Sequence, residues 1–153
     1  MIYIAGSVVP NPLASPPVHV LSGSNKTHVE ISWEEATAAT GKLPILGYRL
    51  KMDYRGNGDY QVVYDGDGMP NVLSYTHGPL LTGETYNFVV EVLNFNGASD
   101  PSDPVEVTVC VAPTDFTSLK FYSLVNTEST VGADTIVTST VKVAWQPPKD
   151  RGG

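Results

Sequence analysis

Thr85-Tyr86-Asn87-Phe88-Val89-Val90-Glu91-Val92-Leu93-Asn94 is the stretch whose reading decides the fold. Tyr86, Phe88, Val90 and Val92 alternate with Asn87, Val89, Glu91 and Leu93. That period of two describes a β-strand with one face on a core. The strand closes on Asn96-Gly97, a turn pair, and Pro101 and Pro104 lead into a last strand from Val105 to Val111. Upstream the pattern recurs. Val29, Ile31 and Trp33 share a face opposite His28, Glu30 and Ser32, and Tyr48, Leu50 and Met52 share a face within residues 47–53. Further strands are expected at residues 18–21, 60–64 and 72–76, with turns at Arg55-Gly56-Asn57-Gly58-Asp59 and Asp65-Gly66-Asp67-Gly68. Residues 34–44 read as a loop. Seven short strands and no helix predict two antiparallel sheets packed face to face.

Composition narrows the chemistry. A net charge of −7 with nine scattered Lys and Arg does not fit a phosphate-binding surface, so no nucleic acid is expected. No apolar run approaches the roughly 20 residues that cross a bilayer, so no membrane insertion is expected within this segment. The single cysteine, Cys110, forms no internal disulfide and is expected to be partly buried and inert. His19, His28 and His77 fall on separate strands without metal-ligand spacing, and no nucleophile, base and orienting acid come together. The chain is therefore expected to be no enzyme and to carry no cofactor, metal or catalytic residue. Counting from Asp65, a calcium loop of the EF-hand type would need an oxygen ligand where Met69 stands and a Glu where Thr76 stands, so a turn is the better reading. Tyr54, Tyr60, Tyr64 and Tyr75, the candidates for stacking on a sugar, are expected mostly to be packing pairs. Asn25-Lys26-Thr27 is a sequon in a turn, which makes Asn25 a candidate glycosylation site if the protein is secreted.

Over residues 16–111 the sequence resembles the fibronectin type III family. Pro16-Pro17 resembles the family's proline-marked opening, and Trp33 stands where the family has its core tryptophan. Gly47-Tyr48-Arg49-Leu50 is similar to the third-strand pattern, which implies Tyr48 packed on Trp33. Leu80-Leu81-Thr82-Gly83-Glu84-Thr85-Tyr86 resembles the Leu-x-Pro-Gly-x-x-Tyr signature, with Thr82 in place of proline. By that resemblance Leu80 plugs the base of the sandwich, and the Tyr86 hydroxyl bonds back to the backbone. Asn94 to Ser99 is similar to the family's Asn-x-x-Gly-x-Ser ending. Arg55-Gly56-Asn57 lacks the acid of the Arg-Gly-Asp tripeptide, so that adhesive activity is not carried over. The implied fold is all-β: a seven-stranded antiparallel immunoglobulin-like β-sandwich, followed by a partial second sandwich.

The second sandwich rests on an internal repeat. Thr140 to Trp145 repeats the pattern of Thr27 to Trp33, with Val141, Val143 and Trp145 on one face, and makes Trp145 a second core signature beside Trp33, Tyr48, Leu80 and Tyr86. Between its proline and its tryptophan the second copy is 16 residues longer than the first, which predicts a longer first hairpin or an inserted loop around residues 126–134. The expected organisation is a last strand of a preceding repeat plus proline-rich linker at 1–15, a complete domain at 16–111, and the opening strands of another at 112–153. Trp145 then lacks a core partner inside the chain. The function expected is a structural or adhesive repeat of a large extracellular or cell-surface array, filament assembly included. Its partners are then other repeats of the same or neighbouring chains, with β-strand complementation as one route. The alternative is a binding module of a receptor or of an intracellular cytoskeletal protein.

Overall fold

The computed structural model describes residues 8–38, 43–113 and 119–148. They divide into two units, one ending at Val111 and one beginning at Ala112. The expected last strand of a preceding repeat falls almost wholly in residues 1–7, outside the described residues.

The first unit contains β1 (Val18–Val20), β2 (Val29–Ser32), β3 (Ile45–Tyr54), β4 (Gln61–Asp65), β5 (Ser74–His77), β6 (Thr85–Asn94), β7 (Gly97–Ala98) and β8 (Val105–Thr108). A 3₁₀ turn at Leu21–Gly23 leads from β1 toward β2. One sheet runs β1-β2-β5; the other runs β4-β3-β6, with β7 and β8 both on the far edge of β6. All pairings are antiparallel. Alternating residues of the two inner faces meet in one core: Val29, Ile31 and Trp33 from one sheet, Tyr48, Leu50, Phe88, Val90 and Val92 from the other. The all-β sandwich expected from the periodicity is present.

Four details depart from expectation, each for a local reason. A short extra strand, β7, pairs with the end of β6 at Gly97–Ala98, where a turn is expected, ahead of the last strand β8. Pro101 and Pro104 carry no N–H for a ladder, and two hydroxyls bridge the gap. Val92 and Val90 donate their N–H groups to Ser99 Oγ (2.9 Å) and Ser102 Oγ (3.1 Å), while the Ser99 and Ser102 N–H groups return to the carbonyls of Val92 and Val90. β6 does not alternate between buried and solvated residues, because Val89, Glu91 and Leu93 are buried as well. β6 lies inside its sheet, and the register sets Lys51 opposite Val89 and Arg49 opposite Glu91, so long aliphatic stems shelter its outer face. The fifth strand begins at Ser74 rather than Val72, since the Val72 N–H closes a turn on the Met69 carbonyl. Residues 8–17 are more than a linker. The Val8 carbonyl accepts from Asn94 Nδ2 (3.1 Å), Pro10 and Pro17 are buried, and Leu13 packs on the core.

The second unit is a single long antiparallel hairpin of β9 (Leu119–Val131) and β10 (Asp134–Trp145), joined through Gly132 and Ala133. Gly132 adopts φ 67°, the left-handed region a tight hairpin turn needs. Of the two expectations for residues 126–134, the longer hairpin is the one observed. Trp145 is 63% exposed.

Candidate functional site

In the first unit the family-like residues hold the base and the waist of the sandwich. Gly83 (φ 84°) turns the chain between residues 80 and 86, so that Leu80 points into the core and Tyr86 returns over it. The Leu81 N–H donates to the Tyr86 hydroxyl at 3.1 Å. Two further bonds tie this corner to the turn before β2: the Leu80 N–H donates to the Thr27 carbonyl (2.7 Å), and the Thr82 hydroxyl to the Lys26 carbonyl (2.6 Å). Thr82, which stands where the family signature has proline, thus replaces a stiff residue with a clasp. Tyr86→Phe removes the acceptor of the Leu81 N–H and is expected to lower unfolding free energy by about 1–2 kcal/mol. Urea denaturation checks it, and an unchanged midpoint contradicts it.

Higher in the core, Trp33 lies 5.9 Å from Tyr48 and 6.1 Å from Tyr64, ring centre to ring centre. Tyr64 stacks on Tyr75 at 4.7 Å, and Tyr75 on His77 at 6.4 Å, so one aromatic file joins β4 to β5 across the sandwich edge. The Ala36 N–H donates to the Tyr48 hydroxyl (2.8 Å), anchoring the segment after β2. Tyr54 pairs directly with Tyr86, 5.2 Å away, with the Arg55 guanidinium above it. These rings are therefore occupied by one another.

Polar groups show the same self-satisfaction. Asp53 is buried, and its carboxylate accepts from the N–H groups of Asn57 (3.2 Å) and Gly58 (2.9 Å), fixing the turn between β3 and β4. Arg55 grips Glu84 through two nitrogens, at 2.8 and 2.6 Å, and this bonding holds the Glu84 carboxyl below the usual range. Asp65, the first acid of the Asp-Gly-Asp-Gly turn, accepts from Arg49 at 3.0 Å. Among the described residues no three His, Cys, Asp or Glu side chains gather as a metal site. An apolar cleft between Pro10, Ala36, Leu43 and Ile45 has room for about 20 Å³, too little for a metabolite. Nothing in the sequence marks the burial of Glu91. A carboxylate two residues before a Gly-rich turn is the one signal available for Asp53.

The sequence profile of the fibronectin type III domain matches residues 14–108. The chain belongs to the fibronectin type III family. Human fibronectin type-III domain-containing protein 3A is 29% identical over 154 aligned residues, which cover 100% of this chain and 11% of that protein. The chain thus spans about a ninth of the length of that curated relative. The sixth fibronectin type III domain of human fibronectin type III domain containing protein 3 superposes with a TM-score of 0.53 at 25% identity, covering 72% of this chain and 97% of that one. Domains A168–A170 of titin give a TM-score of 0.53 at 24% identity over 66% of this chain and 32% of theirs, a likeness of fold.

Around this fibronectin type III core the remaining candidates are dispersed. Asn25 is exposed, and its side-chain oxygen accepts from the N–H groups of Thr27 and His28, both at 2.9 Å, in an Asx turn. Cys110 is exposed, contrary to expectation, because Val109 is the residue turned into the core and the next position faces outward. His77 and His19 are both held below the ordinary imidazole range by burial, with the neighbouring His28 a second cause for His77. A folded-state pKa below the unfolded value near 6.5 means the folded chain takes up protons less readily, so stability is complete above about pH 6.5 and falls as the pH drops through the folded value. A declining urea midpoint is expected between about pH 6.5 and 5, before most carboxylates titrate. A His19→Gln/His77→Gln variant should show a flat profile there, and an equal slope in both proteins contradicts the assignment.

Proposed function

We propose that this chain is a non-catalytic structural repeat of a tandem fibronectin type III array, acting as a spacer and scaffold between neighbouring repeats. Fibronectin type III domains are in general non-catalytic modules. One observation carries the reading: the alignment with the human relative covers 100% of this chain, both units together, inside a protein of which it spans 11%. The second unit is then the opening of a further repeat, and its exposed Trp145 is the counterpart of Trp33. Compact domains joined by short proline-marked segments form a semi-rigid rod. The strap of residues 8–13, bonded to Asn94 and packed beside Ala36, stiffens the approach to the domain.

Two features bear on the compartment. The accessible sequon at Asn25 supports an extracellular or cell-surface array. The exposed, unpaired Cys110 favours a second reading, an intracellular scaffold in a reducing compartment. Mass spectrometry of the native polypeptide tests both. A long chain with further repeats supports the array, and glycan on Asn25 supports the first location. A long chain with unmodified Asn25 and reduced Cys110 supports the second. A short native chain with no further repeat overturns the array.

A further inference from the structure

We propose that the outer half of the β9–β10 hairpin is a homotypic association arm, which pairs through the β10 edge with the same edge of a second copy of the chain. The choice of edge rests on reading the second unit as the opening of a further repeat, while the compatibility of β10 with itself rests on the hairpin alone.

The hairpin has two halves of different chemistry. Near its base the register pairs Leu119 with Trp145, Phe121 with Val143 and Leu124 with Val141, six apolar side chains on one face. That is a core face, as Val29, Ile31 and Trp33 form in β2. Beyond it, from Val125 opposite Thr140 to Val131 opposite Asp134, that face turns polar: Asn126, Glu128 and Thr130 meet Ser139, Val137 and Thr135. A polar face has no place in a sandwich core, so this half projects as a ribbon of roughly 20 Å.

The first unit shows which edge is taken. β2 lies between β1 and β5, and β5 covers its second edge from Val29 to Ser32. Matching Trp145 to Trp33 puts the equivalent stretch at residues 141–144. Asp134 to Thr140 lie past the reach of a strand placed like β5, so their outward N–H and C=O groups stay open.

An open edge is normally protected by Lys, Pro or a bulge. Here no Lys, Arg or Pro stands between Lys120 and Lys142, and the register irregularity of the hairpin lies at Lys142/Val143, outside the arm. β10 is also compatible with itself. Antiparallel pairing about Val137 sets Val137 against Val137, Ile136 against Thr138, Thr135 against Ser139 and Asp134 against Thr140. No like charges meet, and β-branched residues face each other across the strands. β9 is less suited, since pairing centred on its matching position, Glu128, sets carboxylate against carboxylate.

Light scattering follows the mass of the full chain over a wide concentration range. A concentration-dependent dimer is expected. Val137→Lys places like charges on the two-fold axis and should weaken association by about ten-fold or more, while Phe121→Ser, on the apolar base face, should leave it intact. In a Cys110→Ser background, Val137→Cys should form an intermolecular disulfide on mild oxidation and Thr135→Cys should not, because only position 137 meets itself. A monomer at all concentrations overturns the proposal. So does association lost with Phe121→Ser and kept with Val137→Lys, which assigns it to the apolar face, or equal cross-linking at positions 135 and 137.

Discussion

Trp33→Ala is expected to lower the unfolding free energy of the first unit by about 3–5 kcal/mol, the range for deleting a buried aromatic side chain. The magnitude follows from position. Trp33 is only 5% exposed, and it touches both sheets: its own strand face continues from Val29 and Ile31, while Tyr48 and Tyr64 approach from β3 and β4. Its removal opens a void between layers that are each fixed by backbone ladders and cannot collapse onto one another. Trp33→Phe should cost markedly less. Phenylalanine keeps a ring between Tyr48 and Tyr64, and it deletes the indole N–H, which is buried without a hydrogen-bond partner among the described residues. Urea denaturation followed by far-UV circular dichroism reads both. A cost below about 1 kcal/mol for Trp33→Ala would place the centre of the core elsewhere.

Lys51→Met carries the second large effect, an expected loss of about 2–3 kcal/mol, somewhat under the range for stranding a buried charge because Lys51 is itself 25% exposed. Lys51 Nζ and Glu91 form a close ion pair on the outer face of the β3–β6 sheet. The Glu91 side chain is only 8% exposed, and its next cation, Arg49, stands 3.8 Å away. Losing Lys51 leaves a carboxylate with little water and one distant partner. A Lys51→Met/Glu91→Leu double variant should recover most of the loss, since an apolar pair of similar volume needs no such compensation. Equal instability in the single and double variants contradicts this account and points to the packing of the Lys51 stem instead.

Much of the sandwich was legible because its signals are local. A strand with one solvated face announces itself by alternation, and Val29-Glu30-Ile31 and Tyr48-Arg49-Leu50 do so; the turn at residues 55–59 announces itself by composition. Legibility ended where partners are distant in sequence. β6 reads as half-solvated because nothing in Val89-Val90-Glu91 reveals that Lys51 and Arg49 will lie across it. The gap between β7 and β8 was half visible in Pro101 and Pro104, but that Ser99 and Ser102 would bridge it depends on their facing Val92 and Val90. Cys110 is exposed where partial burial is expected, because strand periodicity fixes alternation and leaves open which residues face inward. For the second unit the repeat put Val141, Val143 and Trp145 on one face, and the extra length between proline and tryptophan left a long hairpin or a loop open, of which the hairpin is present. The change from apolar to polar along one face emerged only with the register, which pairs Leu124 with Val141 and Asn126 with Ser139.

Native-state hydrogen exchange on the full chain tests the central claim, that the first unit is a closed sandwich holding its stability in its own core while the second is an open hairpin. Amides of β2, β3 and β6 should share the highest protection and fall together in Trp33→Ala, as one cooperative unit. Amides of β9 and β10 should exchange sooner and be untouched by that substitution. Equal protection of both units, falling together in Trp33→Ala, would contradict the account, because the hairpin would then be part of the same cooperative core.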